Sequence, residues 1–206
     1  MTVIEQLGVA LGLASMAGVN LYLTVLLAGL MVRFDWIHLA DKYEALALLG
    51  HPWIIGTAAV LFAIEFFADK VPWVDSAWDS IHTFIRPVGG TLLALQALGE
   101  LPPHLQVVAG LLAGGAALTT HGAKAGTRLM INHSPEPVSN IALSLAEDTA
   151  VVGGSVLVWL APVAALVVFF VALVLLWFVI PKLWRFISRS IRFIKDRFQS
   201  PGRQLG

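Results

Sequence analysis

In the stretch "VPWVDSAWDSIHTFIRPVGG", residues 71–90, Asp75, Asp79, His82 and Arg86 follow one another at steps of four, three and four. On a helix beginning at Pro72 all four project from one face. Carboxylates one turn apart repel when both are ionised, unless a cation, a proton or a guanidinium sits between them. Two chemistries fit this pattern. In one, Arg86 neutralises Asp75 or Asp79 and the stripe is a salt-bridged helix face. In the other, Asp75, Asp79 and His82 are ligands for a hard metal cation or members of a proton relay, with His82 able to change charge near neutral pH. Such a site needs further oxygens, and Asn140, Ser144 and Glu147 are the candidates.

A second, basic stripe lies in "HGAKAGTR", where His121, Lys124 and Arg128 stand at steps of three and four. It could hold a phosphate headgroup or an anionic solute, but pairing with the acids of the first stripe is the favoured reading. Glu65, Asp69 and Lys70 immediately precede the first stripe, and the doublet Glu147-Asp148 precedes the last apolar run. Asn20 interrupts the first apolar run just beyond Gly12 and Gly18; a buried amide there needs a partner on another helix, or a solute.

These groups must be positioned by a strongly apolar chain. The 206 residues are 58% hydrophobic and 13% charged, against about 25% charged in soluble domains. A membrane-spanning helix needs roughly 20 mainly apolar residues. Four windows meet that length, 6–32, 45–68, 103–123 and 149–181, so the expected fold is an all-α integral membrane protein with about four transmembrane helices. No basic segment precedes the first run, so it is expected to be retained rather than cleaved. Trp36 and Tyr43 suit the interfacial belt.

Two short elements, 72–99 and 137–148, carry the stripes and are expected to be re-entrant or interfacial, because their apolar parts are too short to cross. They echo each other. Counted from Pro72 and Pro137, polar groups recur at offsets three, seven and ten, as Asp75, Asp79 and His82 and as Asn140, Ser144 and Glu147. With one span between them the copies would form an inverted repeat, as in small transporter folds.

Zero net charge conceals an asymmetry. Residues 182–206 hold seven of the thirteen basic residues and one acid, Asp196, leaving the tail at +6 and the membrane domain, 1–181, at −6. The positive-inside rule places such a tail, and with four spans both termini, in the cytoplasm. The tail reads as an amphipathic helix with Lys182, Arg185, Arg189 and Arg192 on the face offered to anionic lipid headgroups, and Ile187, Ile191, Ile194 and Phe198 on another. The absence of cysteine excludes disulfides and thiolate chemistry, and neither H-E-x-x-H nor G-x-S-x-G nor a phosphate-binding loop occurs.

The segments "EFFADKVPWVDSAWDSIHTFIRPVGG" and "HSPEPVSNIALSLAEDTAVVGG" together resemble a bacterial multi-pass membrane family, domain of unknown function 4126, over roughly residues 5–180. The resemblance implies a small inner-membrane protein and assigns no reaction or ligand. From the residues themselves the expectation is a transporter or channel for an ion or small polar solute. Its path would be lined by Asn20, Glu65, Asp69, Asp75, Asp79, His82, Asn140, Ser144 and Glu147, with Lys70, Arg86, His121, Lys124 and Arg128 balancing charge and a bound cation the candidate cofactor. So short a chain encloses a path most simply as a homodimer in the lipid bilayer; nothing points to nucleic acid. The rivals are a non-transporting scaffold or lipid-binding subunit, and a metal-dependent lipid enzyme using Asp75 and Asp79.

Overall fold

Prolines punctuate the chain. Pro52, Pro72, Pro103, Pro137 and Pro162 each open a helix, at the position where a missing N–H costs nothing and a fixed φ helps. The computed structural model describes residues 2–36, 44–99, 101–132 and 137–199, and among them every regular element is helical. In order they are α1 (Val3–Val19), α2 (Leu21–Arg33), a 3-10 turn (Glu44–Gly50), α3 (Pro52–Ala68), α4 (Pro72–Leu98), α5 (Pro103–Ile131), α6 (Pro137–Leu160) and α7 (Pro162–Gln199).

The helices are divided differently from the apolar runs. The run 6–32 is two helices, because Asn20 adopts an extended conformation (φ −147°, ψ 100°) and its side-chain oxygen caps α2 at Leu23 N–H. The element at 72–99 is one helix of 27 residues rather than a short piece; Pro87 lies inside it without ending it. The element at 137–148 likewise continues, through Gly153 and Gly154, as the first half of the 24-residue α6. The run 149–181 breaks at Ala161, where Pro162 starts a new helix that passes Pro181 and carries on through the tail to Gln199. The tail is thus the end of α7 rather than a separate helix. Lys182 and Arg185 are exposed, while the side chains of Arg189, Arg192, Ile187, Ile191, Ile194 and Phe198, the loop residue Tyr43 and the segment 200–206 lie outside what is described.

The inverted repeat is not formed. Asn132, at the end of α5, donates to Pro72 O at the start of α4, and Pro137 follows only five residues later. With α5 antiparallel to α4, the two proline-led helices start at the same end of the bundle and run the same way. The inversion required residues 72–99 not to traverse the bundle, and as one continuous helix they do.

α1, α4 and α5 form the centre. Small residues let them approach: Gly90 of α4 lies against Ala14 and Ala117, and Gly18 of α1 against Ala117 and Thr120, so close that a Cβ at either glycine would collide. Leu13, Ala14, Ala17, Leu93, Ala94, Ala113 and Ala116 fill the core between them. The outer faces are apolar. On α4, Trp73 is 89% and Phe84 78% exposed while Asp75, Asp79, His82 and Arg86 are buried. This is the reverse of the distribution in a water-soluble helix. Among the described residues Val138–Leu160 is the helix both long and apolar enough to cross a membrane; α4 and α5 are longer but carry the inward-facing charges.

Candidate functional site

The charges of four helices meet inside the bundle. α3 carries Glu65 in its last turn and leads into Asp69; α4 contributes Asp75, Asp79, His82 and Arg86; α5 contributes His121, Lys124 and Arg128; α6 contributes Asn140, Ser144, Glu147 and Asp148. Glu65, Asp75 and Arg86 are wholly inaccessible, and Asp69 and Arg128 are each 1% exposed. The stepwise spacing explains the convergence: on α4 and α5 the stripes lie on the faces that meet.

Three cations organise the cluster. Arg86 Nη2 lies 2.7 Å from Glu65 Oε1, and its Nη1 lies 3.2 Å from Asp79 Oδ1 and 2.6 Å from His121 Nδ1. Lys124 Nζ lies 2.9 Å from Asp69 Oδ2, 3.4 Å from Glu65 Oε1 and 3.7 Å from Glu147 Oε2. Arg128 holds Glu147 through Nη2 (2.6 Å) and Nε (3.1 Å), Asp69 Oδ2 at 3.2 Å and Asn140 Oδ1 at 2.6 Å. Lys124 therefore links an inner lobe around Arg86 to an outer lobe around Arg128. Fourteen residues separate Pro72 from Arg86, so the inner lobe lies about 21 Å along α4, near the middle of a helix about 40 Å long.

Hydrogen-bond geometry fixes both histidine tautomers. A guanidinium can only donate, so His121 Nδ1 accepts from Arg86 and its Nε2–H donates to Thr83 Oγ1 at 3.0 Å. Thr83 Oγ1–H in turn donates to Asp79 O. His82 is the opposite case. Its Nδ1–H donates to Trp78 O at 2.7 Å, so Nε2 accepts from Tyr22 OH at 3.0 Å, and the ring stacks on Trp78 with centroids 4.5 Å apart.

Of the residues expected to line a path, the structure brings Glu65, Asp69, Asp75, Asp79 and Glu147 into the charged cluster, with Arg86, His121, Lys124 and Arg128 among them. Asn20 stays outside it and bonds Asp148 of α6, with Nδ2 3.1 Å from Oδ1. Lys70 does not join: its Nζ bonds Phe66 O at 2.8 Å and sits over the Phe66 ring. Nor do Asp75, Asp79 and His82 form a metal triad, because Asp75 is held by Asn132 (2.8 Å), Asp79 faces Arg86, and both nitrogens of His82 are engaged. No group of three or more metal-ligating side chains gathers among the described residues. Tyr22, Thr83 and Asn132 were not expected. Tyr22 was the most legible of them, a polar-tipped aromatic two residues from Asn20 in an otherwise apolar run.

The cluster is rich in acceptors. Five carboxyl groups, Glu65, Asp69, Asp75, Asp79 and Glu147, share Arg86, Lys124 and Arg128, and a sixth, Asp148, is held by Asn20 instead. Buried oxygens without a protein hydrogen-bond partner are Glu65 Oε2, Asp69 Oδ1, Asp75 Oδ1, both of Asp79, Asn132 Oδ1 and Asp148 Oδ2. The matching donors are fewer: Trp78 Nε1, Arg86 Nε and Asn140 Nδ2, with Ser144 Oγ able to play either part. Buried polar atoms require partners, and what balances this inventory is a species that donates hydrogen or carries positive charge.

A family model described as a domain of unknown function, DUF4126, matches residues 7–182 and so takes in every helix that contributes to the cluster. No curated protein and no solved structure matches the chain. The match spans most of the chain, and the chain belongs to the family of domain of unknown function 4126.

Proposed function

We propose that this protein is a multi-pass transporter or channel of the bacterial inner membrane that moves a small cation, or protons, through its buried charged cluster. The observation that carries the reading is the acceptor excess inside the bundle, where five carboxyl groups share three cations and a sixth, Asp148, has only Asn20. Uncompensated buried carboxylates cost several kcal/mol each, so the resting cluster must hold protons or cations, and a group that must hold them can also exchange them. The break at Asn20 supports the same reading, since discontinuous helices surround the solute sites of many transporters. The apolar exterior of α4 and α5 suits lipid, and the basic end of α7 suits the cytoplasmic face. A homodimer in the bilayer is the proposed assembly.

The test uses the purified full chain in liposomes, with proton, sodium and potassium fluxes measured for wild type and for Asp79→Asn, and folding followed by circular dichroism and size exclusion. Flux in wild type that Asp79→Asn abolishes while remaining folded supports conduction. A folded wild type that passes none of the three ions makes the cluster an interhelical clamp, and the protein a scaffold.

A further inference from the structure

Asn20 marks a second polar centre, distinct from the three cations. Its N–H still reaches Met16 O and its carbonyl accepts from Thr24 N–H, but Leu23 N–H is turned to Asn20 Oδ1 at 2.9 Å. In an unbroken helix that N–H would bond Val19 O. α1 therefore ends inside the protein, with Ala17 and Asn20 at 0% and 1% exposure, and presents its last carbonyl oxygens there, the negative end of the helix dipole.

Across from this end stands α6. Asp148 Oδ1 accepts from Asn20 Nδ2, while Oδ2 is buried and has no protein partner. One turn earlier, on the same face, Ser144 is wholly inaccessible and its Oγ also lacks a partner. A carboxylate facing the C-terminal end of a buried helix is repelled by it unless something positive lies between them. The two side-chain atoms left without a partner here, Asp148 Oδ2 and Ser144 Oγ, are both oxygens, one charged and one neutral. Such a donor set suits a hard cation, and a lone carboxylate balances one positive charge.

We infer that the break between α1 and α2 is a binding site for a monovalent alkali cation of the sodium class. Asp148 supplies the counter-charge, and Ser144 Oγ and the terminal carbonyls of α1 supply neutral oxygens. This deepens the transport reading by naming a resting place for the moving ion, yet it is tested at equilibrium, without flux.

Binding of radioactive sodium to the purified full chain in detergent is measured at constant ionic strength, with unlabelled sodium chloride or choline chloride as competitor. The expected result is saturable binding displaced by sodium but not by choline, weakened about tenfold or more in Ser144→Ala, lost in Asp148→Asn, and unchanged in the surface variant Gly115→Ala. Absence of saturable binding in wild type overturns the site, and so does binding that Ser144→Ala leaves unaltered. Should Asp148→Asn fail to fold, the serine variant and the wild type decide. Sodium binding without ion flux counts against transport alone; flux without sodium binding counts against this site alone.

Discussion

Arg86 and Glu65 are joined by a 2.7 Å ion pair between two side chains that are both wholly inaccessible, and the same guanidinium also faces Asp79 and His121. Removing one partner of such a pair leaves a buried charge with nothing to answer it. Arg86→Met is expected to destabilise the protein by ~3–5 kcal/mol. The double variant Glu65→Leu with Arg86→Met should lose less than the arginine variant, because both charges leave together. Thermal unfolding in detergent checks this, and a double variant as unstable as the sum of the singles contradicts it.

The two histidines should be opposite neutral tautomers, His121 protonated on Nε2 and His82 on Nδ1. Nitrogen chemical shifts from the labelled protein read the tautomers directly. Tyr22→Phe removes the donor to His82 Nε2 and should shift that resonance while leaving His121 unchanged.

Asn20 serves α2 and α6 at once, as the cap on Leu23 N–H and as the donor to Asp148. Asn20→Ala should cost about 1 kcal/mol for the lost cap and about 1–3 kcal/mol more for a buried carboxylate oxygen left unpaired. Chemical denaturation of the purified variant measures the total, and a value within error of wild type would show that the break is held by other contacts.

Glycines of α1 and α5 should differ sharply in their tolerance. A side chain at Gly18 would meet Ala117 and Thr120, whereas nothing lies within 4 Å of a Cβ at Gly115. Gly18→Val should drive α1 off α5 and lower the melting temperature strongly. Gly115→Ala should be neutral or stabilising, by at most about 1 kcal/mol from helix propensity.

The sequence alone determined the helical class and which residues would share faces. Steps of three and four put Asp79 with Arg86 and His121 with Arg128 however the helices are arranged, because 3.6 residues per turn is a local property. The same local rules misjudged the element lengths. The element at 72–99 reads as too short to cross and proves one continuous helix through Pro87, while Asn20 reads as a packing amide and proves a helix end.

What only the tertiary structure decided is who answers whom. Arg128 bonds Glu147, Asp69 and Asn140 from two other segments, and Asp148 meets Asn20 across 128 residues of chain. Periodicity assigns each charge a face but no partner. Partner choice follows from which helices pack closely enough to share a dry interior, and that is set by the small residues Gly18 and Gly90 and by the antiparallel run of α4 and α5.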